Sequence, residues 1–171
     1  AQRGSRRIRS YVGNEKMDRN ETVKWIWFSE CTNPAAHNAI KLLNEETDIE
    51  KLYSKEYKAD EYRGILETRI IDALSDKDIS RAEEIYDRCA EHGIAVVPYV
   101  SEMYPPKLRE IQNPPSILYC RGKIKNLAGE VLLGCVGTRK ATRYGRESAA
   151  DICAGLAHSG IIIVSGMARG I

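Results

Sequence analysis

The sequence predicts an α/β chain in two parts, a small helical domain followed by the first part of a parallel-sheet domain. Three observations carry this. Up to about residue 78, apolar residues recur at the helical spacing i, i+3, i+4, i+7. Near residue 79 the pattern changes to short β-type runs that alternate with helical stripes, the order from which α/β folds are built. The C-terminal segment then runs strand, turn, helix, strand, one βαβ unit. The expected division is therefore 1–16 as a flexible extension or expression remnant, 17–78 as a helical domain and 79–171 as a truncated parallel-sheet domain. The length of 171 residues accommodates two small domains, and 43% apolar with 29% charged residues is a globular composition.

Residues 1–16 carry arginines at 3, 6, 7 and 9 but neither helical nor strand periodicity. Met17 is a candidate natural start; a basic arm is the alternative. Trp25, Ile26, Trp27 and Phe28 cluster in a segment from about Glu21. Asn33-Pro34 is a helix N-cap with proline at the first helical position, and Ala36, Ala39, Ile40 and Leu43 form the stripe that follows. Asp48 is placed to cap a short helix bearing Ile49, Leu52 and Tyr53. Tyr62, Ile65, Leu66, Ile70, Ala73 and Leu74 give one more stripe. Acids outnumber bases from Asp48 to Glu91, which argues against a DNA-facing surface there.

Ser80-Arg81-Ala82-Glu83 matches a capping box, Ala82, Ile85, Tyr86, Cys89 and Ala90 make one helical face, and Gly93 is a natural stop. Ile94-Ala95-Val96-Val97 reads as a strand ended by Pro98. Between Tyr104-Pro105-Pro106 and Asn113-Pro114-Pro115, Leu108 and Ile111 fit a single amphipathic turn, and Ile117–Cys120 is a second short strand. Val131–Val136 is a buried strand, 137–143 a turn, and Ala149, Ile152, Cys153, Leu156 and Ala157 a helical stripe ended by Gly160. Ile161-Ile162-Ile163-Val164 is continuously apolar, as in a strand covered on both faces. A doubly wound, Rossmann-like sheet needs more strands than these, so the sequence reads as a fragment.

Several function classes find no support. The net charge of +2 is uninformative, so any polyanion argument rests on local clustering. Cys31, Cys89, Cys120, Cys135 and Cys153 form no CxxC pair, and His37, His92 and His158 stand apart, so no metal site is expected. The cysteines are read as reduced thiols of a cytoplasmic protein. No apolar run approaches the roughly 18 residues needed to cross a membrane. Ser165 lacks G-x-S-x-G flanks, no paired carboxylates occupy a strand-end turn, and G-x-G-x-x-G is absent, so neither catalysis nor a dinucleotide cofactor is expected.

Two strand-end turns carry the chemistry that remains. In open parallel sheets ligands bind beyond the carboxyl ends of the strands. Gly137-Thr138-Arg139 and Ser165-Gly166 are expected at the same edge. Their glycines let backbone N–H groups approach an anion, and a helix N-terminus adds positive potential. Thr138, Thr142 and Ser165 offer hydroxyl donors, and Arg139 offers a bidentate fork for a phosphate. From Arg121 to Arg146 seven bases (Arg121, Lys123, Lys125, Arg139, Lys140, Arg143, Arg146) stand against Glu130 alone. That excess suits a polyanion better than a single dinucleotide. Tyr144 either stacks on a base or packs at the start of the helix.

These residues resemble a known family. Val136–Gly145 is similar to the V-G-[ST]-R-x-x-[ST]-x-Y-G motif of DNA-processing protein A (DprA, also called Smf), and Val164–Ile171 resembles its S-G-x-A-x-G-I-D motif without the aspartate. Tyr104-Pro105, Leu108, Ile111, Pro114-Pro115, Leu118-Tyr119 and Gly122 resemble its Y-P-x-x-L…I…P-P…L-Y…G stretch. The resemblance covers residues 80–171. It implies a SAM-like helical domain before a Rossmann-like domain, and a homodimer that binds single-stranded DNA and loads RecA recombinase in natural transformation and recombination, without catalysis. It carries Gly137, Thr138, Arg139, Lys140, Thr142, Arg143, Ser165, Gly166 and Arg169 over as the DNA-binding set. The family's glycine-bearing hairpin is replaced by Cys31-Thr32-Asn33-Pro34. The alternative is a Rossmann-like enzyme such as a nucleoside-monophosphate phosphoribohydrolase, whose P-G-G-x-G-T-x-x-E motif this chain lacks.

Overall fold

Helix α1 (Arg19–Thr32) owes its position to an apolar surface that runs all the way round it. Val23, Trp25, Ile26, Trp27, Phe28 and Cys31 are all buried, and a helix apolar on every side sits at the centre of a core. Asp18 caps it by accepting a hydrogen bond from the Glu21 N–H at 2.7 Å. The computed structural model describes residues 11–12, 15–33, 36–123 and 126–170. The expected basic arm falls largely outside them, as do Pro34 and Lys125. The chain divides into two compact units after Asn126, later than the boundary expected at 78/79.

In the first unit four more elements close around α1. Helix α2 (Ala36–Glu45) buries Ala39, Leu42 and Leu43, so its stripe includes Leu42 and leaves Ile40 half-buried. Asn33 does not start it; Asn33 closes α1, donating its backbone N–H to the Ser29 carbonyl at 2.9 Å. Asp48 caps α3 (Ile49–Ser54) as expected, accepting from the Glu50 N–H at 2.9 Å and the Lys51 N–H at 3.5 Å. The stripe from Tyr62 to Leu74 is two helices, α4 (Ala59–Tyr62) and α5 (Thr68–Asp76), because Gly64 takes φ +79° and breaks the helical path. Ile65 in that break is therefore 43% exposed. At the C-terminal cap of α5, Lys77 lies against the rings of Trp27, Tyr53 and Tyr57, its ammonium 4.6 to 5.6 Å from their centroids.

Helix α6 (Ser80–Glu91) packs on α1 through Ala82 and Cys89 and stops before Gly93, whose φ is +63°. The expected capping box does not form. Ser80 is already helical, and its hydroxyl and N–H both donate to the Asp78 carboxylate, at 2.6 and 2.9 Å. Those bonds hold the Asp78 carboxyl below its ordinary range. Strands β3 (Ile94–Pro98) and β4 (Ile117–Arg121) follow, with an antiparallel register running from Ile94 opposite Arg121 to Pro98 opposite Ile117. They pack on α6 and α1, which is why the first unit extends past residue 78. (Two shorter strands, β1 at Tyr11–Val12 and β2 at Glu15–Lys16, pair antiparallel before α1.) The loop between β3 and β4 includes the one-turn helix α7 (Pro106–Arg109). Arg109 donates to the Tyr99 carbonyl at 2.9 Å and to the Ser101 carbonyl, and its guanidinium lies over the rings of Tyr99 and Tyr104.

The second unit is the expected strand–helix–strand succession. Strand β5 (Leu132–Cys135) pairs parallel with β6 (Ile162–Ser165), Leu132 opposite Ile162 and Cys135 opposite Ser165. Helix α8 (Arg143–His158) connects them and packs on β6. The expectation that β6 is covered on both faces is not met. Leu133 and Val164 remain exposed at 38% and 48%, because one helix meets two strands here. For the same reason Ile152 of the α8 stripe is 61% exposed, while Cys153 and Leu156 are half-buried. The architecture is mixed helix and strand, an α/β chain.

Candidate nucleic-acid interface

The register of β5 on β6 decides where the two turns lie. With Cys135 opposite Ser165, the turn 136–142 and the turn 166–170 leave the same edge of the sheet side by side. They also touch. Gly170 has φ +111°, and a β-carbon built on it would stand 2.8 Å from the Arg139 Cα and 2.9 Å from the Thr138 carbonyl carbon. Only glycine lets these two backbones meet so closely. The Val164–Ile171 motif contains Gly170, but the sequence alone assigns it no part in the site. Its five-residue spacing from Ser165 was the available signal.

Each turn orients its own hydroxyls. Thr138 Oγ1 accepts from the Lys140 N–H at 3.2 Å, Thr142 Oγ1 caps α8 by accepting from the Gly145 N–H at 3.1 Å, and Ser165 Oγ accepts from the Met167 N–H at 3.2 Å. A hydroxyl that accepts from a backbone N–H keeps its own O–H for donation. Three exposed hydroxyl donors are thus fixed around the two turns. Met167, at φ +55° and 91% exposed, projects into solvent from the second turn.

The cations fall into two groups. Among the described residues Arg139, Lys140 and Arg169 are exposed, with no ion pair or side-chain hydrogen bond holding their charged ends. Arg143 instead pairs with Glu147 at 2.7 Å, one helical turn on, and Arg146 donates to the Ala141 carbonyl at 2.8 Å. The Arg143–Glu147 pair is solvent-exposed, so it contributes on the order of 0–1 kcal/mol and is readily exchanged for another anion. Arg121 and Lys123, counted in the same basic run, belong to the first unit. Gly137 and Gly166 are both exposed, and a β-carbon on Gly166 would meet nothing within 4 Å. Tyr144 is 79% exposed in the first turn of α8, so it does not pack there. Among the described residues no group of three His, Cys, Asp or Glu is placed to hold a metal ion, and no helix is long and apolar enough to cross a membrane.

The comparison with known sequences bears on this edge directly. The model of the family described as DNA recombination-mediator protein A matches residues 95–171, from β3 through the last turn. Those residues are similar to the DNA recombination-mediator protein A family. The DNA processing protein DprA of Bacillus subtilis is 37% identical over 81 residues, 47% of this chain and 27% of that protein. Protein Smf of Escherichia coli is 37% identical over 76 residues, 44% of this chain and 20% of that protein. Protein Smf of Synechocystis is 41% identical over 71 residues, 40% of this chain and 18% of that protein. These matches span 18 to 27% of the relatives' lengths. The similarity to DprA and Smf proteins does not favour the phosphoribohydrolase alternative. Both glycine turns and the Tyr-Pro loop lie inside the family match, whereas α1 to α6 lie before it.

Proposed function

We propose that the paired turns 136–142 and 165–170 form a single-stranded-DNA backbone site, and that the protein carrying this chain is a recombination mediator and not an enzyme. The reading rests chiefly on the contact of Gly170 with Thr138 and Arg139. It brings together, at one sheet edge, three hydroxyl donors and the exposed cations Arg139, Lys140 and Arg169. Donors and cations without a carboxylate among them suit phosphate oxygens. Contacts of this kind read backbone and not base edges, so binding is expected to be indifferent to sequence. The exposed Tyr144 ring is a platform for a base, which favours a strand whose bases are unpaired. In this reading Gly137, Thr138, Arg139, Ser165 and Gly166 line the phosphate pocket, with Lys140, Thr142, Arg143 and Arg169 around it. From its similarity to that family the native protein is further proposed to act in the cytoplasm as a homodimer, to load RecA recombinase on the bound strand, and to serve natural transformation or recombination.

The test is Arg139→Ala against Arg139→Lys in a fluorescence-anisotropy titration with a labelled oligothymidine. Loss of a bidentate, charge-assisted contact costs about tenfold or more in affinity. Lysine restores charge without the fork and should recover only part of it. Equal affinity of all three proteins overturns the assignment.

A further inference from the structure

A second basic and aromatic surface lies on the first unit and involves none of the residues of the two turns. Along α6, Arg81, Ile85, Arg88 and His92 follow one another at i, i+4, i+7 and i+11, so they share one helix face. Beside that face a groove of about 330 Å³ opens toward Ile94 of β3 and Tyr119 of β4. Its volume is within the roughly 300–1,000 Å³ of small-ligand sites. Its floor is apolar, made by Ile85 and Ile94 above the buried Cys89. Tyr119 is 47% exposed at its wall, a large ring left open where the rest of that sheet face packs on the core. Arg121 stands two residues on along the same face of β4.

The charge of the groove is one-sided. Among the described residues that line it, Glu30 is the one carboxylate, and it is neutralised by Arg81 at 2.7 Å. Arg88 has no ion-pair partner among the described residues. The acidic average of residues 48–91 conceals this, because Glu83 and Asp87 of α6 are turned to another face, where they hold Arg19 at 3.2 and 3.4 Å. An apolar floor, an open aromatic ring and the unpaired Arg88, with the His92 ring one helical turn on as a hydrogen-bonding group, are what a nucleotide of a single strand requires. The base stacks and the adjoining phosphates meet Arg88 and His92.

We propose that this groove binds one to two nucleotides of a single-stranded nucleic acid, with a base on Tyr119 over Ile85 and Ile94 and the flanking phosphates on Arg88 and His92. The site is independent of Arg139, so it can be right or wrong whatever the fate of the paired turns. An acidic peptide with an apolar anchor is the competing occupant.

The experiment uses the whole chain and an oligothymidine carrying 5-iodouracil, with photo-crosslinks mapped by mass spectrometry and affinities read by anisotropy. The expected result is an adduct on Tyr119. Tyr119→Ala should weaken binding by about fivefold or more, the low end for one lost base–aromatic stack, and Tyr119→Phe should retain it. Arg88→Gln should weaken binding and flatten the salt dependence by about 0.7 of a log–log unit. Arg88 is exposed and anchors no fold contact, so this variant decides the matter even where Tyr119→Ala is poorly folded. Adducts confined to residues 136–170, or Arg88→Gln binding with unchanged affinity and slope, overturn the proposal. So does displacement of the strand by polyglutamate at equal charge concentration without a Tyr119 adduct, which assigns the groove to an acidic peptide.

Discussion

Replacing Gly170 by alanine should pull the two turns apart while leaving the first unit intact. At φ +111° an L-residue carries strain of order 1–3 kcal/mol. The new methyl would also stand 2.8 Å from the Arg139 Cα, and backbone cannot swing aside as a flexible side chain can. At least that strain is expected as lost stability of the β5–α8–β6 unit. Amide hydrogen exchange measures it locally. The paired N–H groups of Leu132–Cys135 and Ile162–Ser165 should exchange roughly 5- to 150-fold faster, since each 1.4 kcal/mol is tenfold. Both tryptophans lie in α1, so their fluorescence reports the first unit alone and should not change. Gly134→Ala is the control, because a β-carbon there meets nothing within 4 Å. Unchanged exchange and unmoved Thr138 and Arg139 amide resonances in Gly170→Ala would refute the claim that the turns are in contact.

Other outcomes follow from the first unit. Asp48→Ala removes the acceptor for the Glu50 and Lys51 N–H groups and should cost about 0.5–2 kcal/mol in urea unfolding followed by tryptophan fluorescence. Arg109→Lys keeps the charge but cannot reach both the Tyr99 and Ser101 carbonyls while lying over both tyrosine rings. A loss of about 1–3 kcal/mol is expected, and full stability would show that the clamp on the Tyr-Pro loop is unimportant. Burial pushes the Cys31 thiol from 9.0 up to about 12, so the unfolded chain loses this proton first as pH rises. Cys31 therefore contributes stability fully below pH 9 that is lost progressively between pH 9 and about 12, and Cys31→Ala should show a shallower decline of the urea midpoint across that window.

Local patterning carried most of the elements. The α1 cluster, the Asp48 cap, the Gly93 stop and the strand–turn–helix of the second unit all depend on residues close in sequence, and each is present. The misses are places where a distant or alternative partner won. Ser80 was expected to cap α6, but Asp78 stands two residues earlier and takes both of its donors. The stripe from Tyr62 to Leu74 kept its apolar face across a break, because periodicity does not register the backbone freedom of Gly64. The extension of the first unit to β3 and β4 depends on antiparallel pairing across the Tyr-Pro loop, which no short window contains. At the candidate site, Thr138, Arg139, Ser165 and Gly166 were legible from their strand-end positions. Gly170 was not, because its importance lies in a close approach to a backbone some thirty residues away.

The most direct test of the central claim is competition between single- and double-stranded DNA of equal length for the protein, repeated across salt concentrations. A backbone site that needs unpaired bases predicts preference for the single strand and a log–log salt slope of about −0.7 for each phosphate contacted. Arg139→Ala should lower that slope by about one contact for every sequence tried. Equal competition by the duplex, or an affinity that does not respond to salt, would contradict the account.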